Sequence, residues 1–228
     1  MTSVLVTGAN RGIGYEFVRQ YAAEGARIFA ACRNPAKADA LKALAAPSGG
    51  KITLHSLEVT DDASIAALAR ELSGEAIDIL INNAGIKGDL HVFEPANSAL
   101  WEKVMRTNVI APFRMAENFR PHLERGTRRI ILNISSGRGS HLRHRGDGIA
   151  YCASKAALNS SMYGLSVAWK NDNFIVVMIA PGPVQTDMNP EARLTPEFSI
   201  GAMRKVIANL TTADNGRYLD YENKDVLW

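Results

Sequence analysis

Residues 3–14, which read SVLV-TGANRGIG, decide the fold of this chain. Residues 3–6 form a short apolar strand candidate, and a helical pattern starts where the glycines end. Glycines let the backbone turn tightly and approach a ligand closely, and the free N–H groups of the following helix attract phosphate. The spacing here is G-x-x-x-G-x-G, which differs from the more familiar G-x-G-x-x-G. The stretch predicts a strand, a phosphate-binding turn and a helix.

Apolar strand candidates alternate with helical patterns along the rest of the chain, as in repeated strand-helix-strand units. Strands are predicted near residues 3–6, 27–31, 51–57, 77–81, 128–134, 173–180 and 217–220. Helices are predicted near residues 13–24, 36–45, 62–72, 97–122, 150–170 and 199–211. The pattern predicts an α/β fold with a doubly wound parallel sheet of about seven strands, helices on both faces, and a ligand crevice beyond the carboxyl ends of the strands.

Tyr151 and Lys155 are four residues apart in a predicted helix, so their side chains leave the same face of it. Lowering the pKa of a tyrosine from about 10 by three units requires about 4 kcal/mol of preferential phenolate stabilisation. An ammonium group 4 Å away supplies about 4 kcal/mol at an effective dielectric constant of 20. The pair therefore predicts a proton-transfer site. Taken alone, the Y-x-x-x-K spacing also fits a half-exposed tyrosine beside a solvated lysine.

Further motifs follow the predicted strands in order. They are Asn82-Asn83-Ala84-Gly85, Asn108, Asn133-Ile134-Ser135-Ser136, the Tyr151–Lys155 pair, and PGPVQT at residues 181–186. With these motifs the chain resembles the short-chain dehydrogenases/reductases from end to end, and segments such as NISSGRGS and GRYLDY are similar to the C-factor and sniffer-like carbonyl reductase subgroup. The resemblance implies a Rossmann-type fold in a single domain, residues 1–228, with a dinucleotide-binding half of about residues 1–125 and a catalytic and substrate half of about residues 126–228.

The resemblance also implies the catalytic residues. Tyr151 is expected to be the general acid in carbonyl reduction and the base in alcohol oxidation. Lys155 is expected to lower the pKa of Tyr151 and to bind the nicotinamide ribose, while Ser136, rather than Ser135, donates to the substrate carbonyl oxygen. Asn108 is similar to the family's helix asparagine, which orders a water linked to the lysine. A purely structural interpretation of Asn108, as a polar residue that bends the fourth helix, is compatible with that role.

The same resemblance implies the cofactor-binding residues. They are Gly8, Asn10, Arg11, Gly12, Ile13, Gly14, Arg33, Glu58, Val59, Asn83, Ala84, Gly85, Tyr151, Lys155, Pro181, Gly182, Val184 and Thr186. The second strand candidate ends near Arg33, with no acid between Arg27 and Asp39. An NAD site commonly has an acid there for the ribose hydroxyls, whereas an arginine suits a 2′-phosphate. We therefore expect NADP(H), with NAD(H) as the alternative. Glu58 stands where the family usually has an aspartate for the adenine amino group.

Composition indicates no macromolecular partner. The 26 basic and 23 acidic residues are dispersed and give a net charge of +3, which does not suggest nucleic-acid or membrane binding. The first strand candidate begins at residue 3 without a leader, no apolar run approaches the length of a membrane span, and two cysteines fit a reducing compartment. We expect a cytoplasmic protein without a metal site that acts on a small carbonyl or alcohol and assembles, as the family commonly does, into a homodimer or homotetramer.

Two functions remain open at this point. The first is an NADPH-dependent carbonyl reductase or alcohol dehydrogenase for small aldehydes, ketones or quinone-like carbonyls. The second, suggested by the C-factor resemblance, is a nucleotide-binding signalling or developmental protein in which cofactor occupancy matters more than turnover. The presence of Ser136, Tyr151 and Lys155 favours the enzyme, because a purely regulatory module would not need them.

Overall fold

A parallel sheet lies at the centre of the computed structural model, which describes residues 1–88 and 97–228. Its strands within these ranges are β1 Ser3–Thr7, β2 Arg27–Cys32, β3 Ile52–Ser56, β4 Ile79–Asn82, β5 Ile130–Ile134, β6 Ile175–Ala180 and β7 Tyr218–Asp220. They are ordered β3-β2-β1-β4-β5-β6-β7. The order reverses between β1 and β4, which is where ligands bind in such sheets. The predicted doubly wound sheet is confirmed.

Helices cover both faces of the sheet. They are α1 Gly12–Ala23, α2 Asp39–Ala45, α3 Asp62–Glu71, α4 Ser98–Met105, α5 Ala111–Arg125, α6 Ile149–Ala168 and α7 Pro196–Asn209. Helices α1, α2 and α7 contribute buried residues to the core on one face, whereas α3, α5 and α6 contribute to the core on the other. None of the helices in the described ranges is long and apolar enough to cross a membrane.

Both faces of the central strands β1, β4, β5 and β6 are buried because the sheet is covered on each side. In β1, Val4 and Val6 point into the α1 and α7 core, while Leu5 points into the α5 and α6 core. All three side chains are fully buried. Such strands read as continuous apolar runs, which is the pattern seen in their sequences.

Two helices differ from the sequence-based prediction. The helix predicted near 97–122 is α4 and α5 joined by a π-helical turn, Arg106–Ile110, and α5 continues to Arg125. Within this stretch the Thr107 hydroxyl donates to the Lys103 carbonyl at 2.8 Å, a bond that bends helices. The helix predicted near 36–45 begins instead as a 3₁₀ turn, Pro35–Lys37, because proline favours the first position of such a turn and the Asn34 side chain caps it.

Asp78 joins the two halves of the chain at the amino ends of the strands. One carboxylate oxygen accepts from the Ser3 backbone N–H at 2.8 Å and from the Ser3 hydroxyl at 3.0 Å. The other accepts from the Thr127 N–H at 2.7 Å and the Thr127 hydroxyl at 2.8 Å. Burial by itself would raise the pKa of Asp78, but the four hydrogen bonds lower it.

Candidate active site

The predicted motifs converge beyond the carboxyl ends of β1, β4, β5 and β6. The glycine turn follows β1, residues 82–85 end β4 and lead away from it, residues 135–136 follow β5, and residues 181–186 follow β6. Because β1 and β4 are neighbours at the reversal of strand order, the first two motifs face each other there. A crevice between these loops is therefore the candidate site.

The glycine turn has the shape that its spacing predicts. Gly8 and Gly12 adopt positive φ angles of 64° and 53°, which glycine favours. Gly14 has no room for a side chain, since a Cβ atom there would lie 2.2 Å from the Gly8 carbonyl oxygen and 2.5 Å from the Asn83 amide nitrogen. Helix α1 can start this close to the turn only because residue 14 is glycine, and its free N–H groups point toward the crevice end of the sheet.

Asn83 supports the glycine turn from behind. Its side-chain nitrogen donates to the carbonyl oxygens of Thr7 at 2.8 Å and Gly8 at 3.1 Å. The Thr7 hydroxyl in turn accepts from the backbone N–H groups of Asn83 and Ala84, both at 3.0 Å. These bonds fix the loops after β1 and β4 to each other. No role for Thr7 was predictable from the sequence, because a threonine at the end of a strand carries no signal until its partner strand is known.

The residues expected at the adenosine end lie around the rim. Arg33 is exposed just beyond β2, Asn10 is exposed in the glycine turn, and Val59 is half-buried. The Glu58 carboxylate accepts from the Thr60 N–H at 3.0 Å and hydroxyl at 2.8 Å, so one of its oxygens is engaged locally. Arg11 forms an ion pair with Asp187 at 2.6 Å across the crevice. This ion pair is largely exposed and contributes little to stability, so Arg11 can leave Asp187 at a small cost in free energy.

The loop after β6 closes the opposite side of the crevice. The Pro181 carbonyl accepts from the Ser199 hydroxyl at 2.7 Å, which holds the loop against α7. Val184 is buried and pairs with Leu194. The Thr186 methyl carbon lies 3.4 Å from the position that a Cβ atom of Gly12 would occupy, so the loop reaches the glycine turn. Gly182, Val184 and Thr186 thus lie on the same side of the crevice.

Tyr151 and Lys155 share one face of α6, as their spacing predicts. The Lys155 ammonium lies 5.7 Å from the centre of the Tyr151 ring. It donates to the Ile134 carbonyl at the end of β5 at 2.7 Å, and the side chain is buried. Gly85 borders the same space, because a Cβ atom there would be 3.8 Å from the ammonium nitrogen. Helix α6 thus places Tyr151 and Lys155 at the carboxyl end of the sheet.

The pKa of Tyr151 differs from the expectation drawn from Lys155. Burial raises the pKa of the Tyr151 phenol, and a hydrogen bond from Ser136 and the charge of Arg138 only partly oppose this effect. Burial also lowers the pKa of Lys155 from its ordinary value of 10.5 to about 8. The net shift is set by burial and does not isolate the contribution of Lys155, so its effect on the phenol's pKa stays a prediction. Burial sets the direction of both pKa shifts, and the Lys155 ammonium donates to a backbone carbonyl.

The two serines after β5 have different environments. The Ser135 hydroxyl is buried and donates to the Asn159 side chain at 2.6 Å. Ser136 is half-buried, and its side chain lowers the pKa of the Tyr151 phenol. Its oxygen also accepts from the Arg138 N–H at 3.2 Å, which leaves the hydroxyl proton free to be donated. Of the two, Ser136 is the serine that the structure brings to Tyr151.

Asn108 lies in the π-helical turn and is buried. Its side-chain oxygen accepts from the Ile86 N–H at 2.9 Å, and its nitrogen donates to the Ile86 carbonyl at 2.8 Å and to the Ser154 hydroxyl at 2.9 Å. The side chain thus links the loop after β4 to α6, and the bend in the helix accompanies this position. Single π turns are frequent at functional sites.

These features together define a class of protein. A glycine turn at a strand-order reversal, a helix start against it, and a tyrosine-lysine-serine group across the crevice fit a nicotinamide dinucleotide. The sequence does not show that Arg138, in the loop between the serine and the tyrosine, pairs with Asp147 at 3.1 Å. No group of three His, Cys, Asp or Glu side chains that could hold a metal ion occurs in residues 1–88 and 97–228.

Comparison with known proteins identifies the family. Residues 2–197 match the short chain dehydrogenase model, and the chain belongs to that family. The NADPH-bound carbonyl reductase from chicken fatty liver is 35% identical, with a TM-score of 0.93, over 100% of this chain and 99% of that chain. The carbonyl reductase Sniffer of D. melanogaster is 27% identical, with a TM-score of 0.93, over the full length of both chains. C-signal from Myxococcus xanthus is 33% identical over 164 residues, which are 71% of this chain and 99% of C-signal.

Proposed function

We propose that this protein is an NADP(H)-dependent oxidoreductase that transfers a hydride between the nicotinamide and a small carbonyl or alcohol. The observation that carries the proposal is the meeting of Ser136, Tyr151 and Lys155 beside the crevice. The similarity to carbonyl reductases, among them the NADPH-bound chicken protein, supports the substrate class and the cofactor.

The residues present fit the proposed cofactor. The space that a Gly14 side chain would fill and the N–H groups of α1 suit a pyrophosphate. The exposed guanidinium of Arg33 suits a 2′-phosphate, and Arg11 can join it after leaving Asp187. Lys155 would hold the nicotinamide ribose, and the loop around Val184 and Thr186 would hold the carboxamide. When bound, the nicotinamide supplies or accepts the hydride.

The catalytic side chains each have a separate task in this proposal. Tyr151 donates a proton to the carbonyl oxygen during reduction, and its raised pKa keeps the phenol protonated at neutral pH, which is the form that reduction needs. Ser136 donates to the same oxygen as negative charge develops there. Lys155 holds positive charge near the phenol as the proton leaves. Asn108 fixes the Ile86 backbone beside them.

Purified protein tests the proposal with a panel of isatin, diacetyl and small aldehydes. We expect the loss of NADPH absorbance on addition of at least one of these carbonyls, at a higher kcat/KM than with NADH. Binding of NADPH is measured separately by its fluorescence. If NADPH binds but no carbonyl in a broad panel is reduced, the signalling alternative suggested by the similarity to C-signal is favoured.

A further inference from the structure

Tyr218, far from the catalytic residues in sequence, reaches the active-site turn. It is the first residue of β7, pairs with Met178 of β6, and is 2% exposed. Its hydroxyl donates to the backbone carbonyl of Ser136, across 82 positions of sequence. The ring therefore packs as a core residue, while its polar end contacts Ser136, whose side chain lowers the pKa of Tyr151.

The hydrogen bond from Tyr218 completes the fixation of Ser136. The same Ser136 carbonyl accepts from the Gly139 N–H at 2.8 Å, so both of its lone pairs are engaged. The Ser136 hydroxyl accepts from the Arg138 N–H at 3.2 Å. Hydrogen bonds thus hold both the backbone carbonyl and the side-chain oxygen of Ser136. The Ser136 hydroxyl proton is the group left to bind a further acceptor.

The surroundings of the Tyr218 hydroxyl are buried and polar. The side chains of Ser135 and Asn159 are both buried and lower the pKa of the Tyr218 phenol. Burial raises the pKa of Tyr218 despite these neighbours and the charge of Arg143. The phenol is therefore protonated, and a hydrogen-bond donor, at neutral pH.

The Trp228 ring packs against the Tyr218 ring. It meets the rings of Tyr218 and Tyr163 edge-on, at 5.8 Å and 5.7 Å between centres. The Val226 N–H donates to the Tyr218 carbonyl at 2.8 Å and holds the segment before Trp228 in place. Exclusion of water strengthens a hydrogen bond and raises the penalty for losing it.

We propose that Tyr218 is a positioning residue of the active site, whose hydroxyl holds the Ser136 carbonyl so that the Ser136 side chain faces Tyr151 and the substrate oxygen. The part that concerns the substrate rests on the proposed function. The part that concerns the Ser136–Tyr151 hydrogen bond does not, and it can be measured without turnover.

The kinetic test compares Tyr218→Phe with Tyr163→Phe. Both changes remove one hydroxyl from a ring that packs against Trp228, but Tyr163 is half exposed and does not touch the site. One buried hydrogen bond corresponds to about a three- to tenfold effect. We expect kcat of Tyr218→Phe to fall by about that factor, with KM and the NADPH Kd changed less than about twofold. Tyr163→Phe should match the wild type.

The second test follows the pKa of Tyr151 by NMR of protein labelled with ¹³Cζ-tyrosine, the signal being assigned by its loss in Tyr151→Phe. Tyr218→Phe should raise the pKa of Tyr151 by about half to one unit, because Ser136 would stabilise the phenolate less well. Tyr163→Phe should leave the pKa unchanged. This shift is expected even if no carbonyl is turned over, so failure of the proposed function is distinguishable from failure of this inference.

A rescue variant distinguishes loss of the hydrogen bond from misfolding of Tyr218→Phe. Replacement of Tyr218 by 4-aminophenylalanine keeps a ring with a donor and should restore both kcat and the pKa of Tyr151. Unchanged kcat and an unchanged Tyr151 pKa in folded Tyr218→Phe would overturn the inference. So would a folded 4-aminophenylalanine variant that differs from the wild type as much as Tyr218→Phe does.

Discussion

At the scale of single residues, the centre of the site buries two titratable groups, Tyr151 and Lys155, and burial disfavours the charged form of each. Lys155 is buried with its ammonium on a backbone carbonyl, and burial brings its pKa down to about 8. The sequence predicted the Tyr151–Lys155 pair, because four-residue spacing on a helix fixes their shared face. It did not predict the direction of the tyrosine's pKa shift, because desolvation depends on how distant segments cover the site.

Lys155→Met should stabilise the fold near neutral pH. A folded-state pKa of about 8 against an ordinary value of 10.5 means that the unfolded chain binds the proton more tightly, so stability rises with pH between these values. Below pH 8 the full penalty applies, and its removal should raise the free energy of unfolding by about 1–3 kcal/mol at pH 7. Urea unfolding at pH 7 and pH 10 measures this. A variant less stable than the wild type at pH 7 would contradict the burial penalty.

At the scale of elements, the order of strands and helices was predictable, and the irregular joints were not. The π-helical turn Arg106–Ile110 interrupts a stretch with continuous helical periodicity, and it holds Asn108, which accepts from the Ile86 N–H of a distant loop. The glycine turn was predictable because its chemistry is local. Its third glycine, Gly14, is required by close packing against Gly8 and Asn83.

Gly14→Ala should disturb the turn, whereas Gly164→Ala in α6 should not. The added Cβ at residue 14 would meet the Gly8 carbonyl oxygen at 2.2 Å, so we expect a loss of about 1–3 kcal/mol in the free energy of unfolding. NADPH affinity should fall at least about tenfold, because the phosphate-binding turn must shift. At Gly164 nothing lies within 4 Å, and alanine should add about 0.5–1 kcal/mol. Chemical denaturation and NADPH fluorescence titration measure both effects. Equal behaviour of the two variants would refute the packing argument.

At the scale of the whole molecule, the carboxyl and amino ends of the strands have separate roles. The carboxyl ends carry the candidate site, while Asp78 at the amino ends joins Ser3 and Thr127 across 75 and 49 positions of sequence. The sequence predicted the sheet and its crevice from alternating patterns. Long-range links such as this one and the Tyr218–Ser136 bond leave no periodic signal, so only the folded chain reveals them.

Asp78→Ala should weaken the whole fold without changing the site. Loss of four hydrogen bonds to a buried carboxylate should lower the free energy of unfolding by about 2–4 kcal/mol, while kcat stays near the wild-type value. Since the folded-state pKa of Asp78 is lowered, this contribution is present above about pH 4 and disappears as the pH falls through the folded-state value. Asp39→Ala, at an exposed side chain, is the control. A difference in the free energy of unfolding between Asp78→Ala and the wild type that does not change with pH would argue against the role of the Asp78 carboxylate.

The most direct test of the central claim is the turnover of Tyr151→Phe with a carbonyl that the wild type reduces. General acid catalysis by the phenol predicts a fall in kcat of about 10²- to 10⁴-fold, with the NADPH Kd changed less than about threefold because the ring and its packing remain. Stopped-flow measurement of NADPH consumption, beside fluorescence titration of NADPH, separates the two quantities. A Tyr151→Phe protein that binds NADPH and still reduces the carbonyl at near the wild-type rate would contradict the claim.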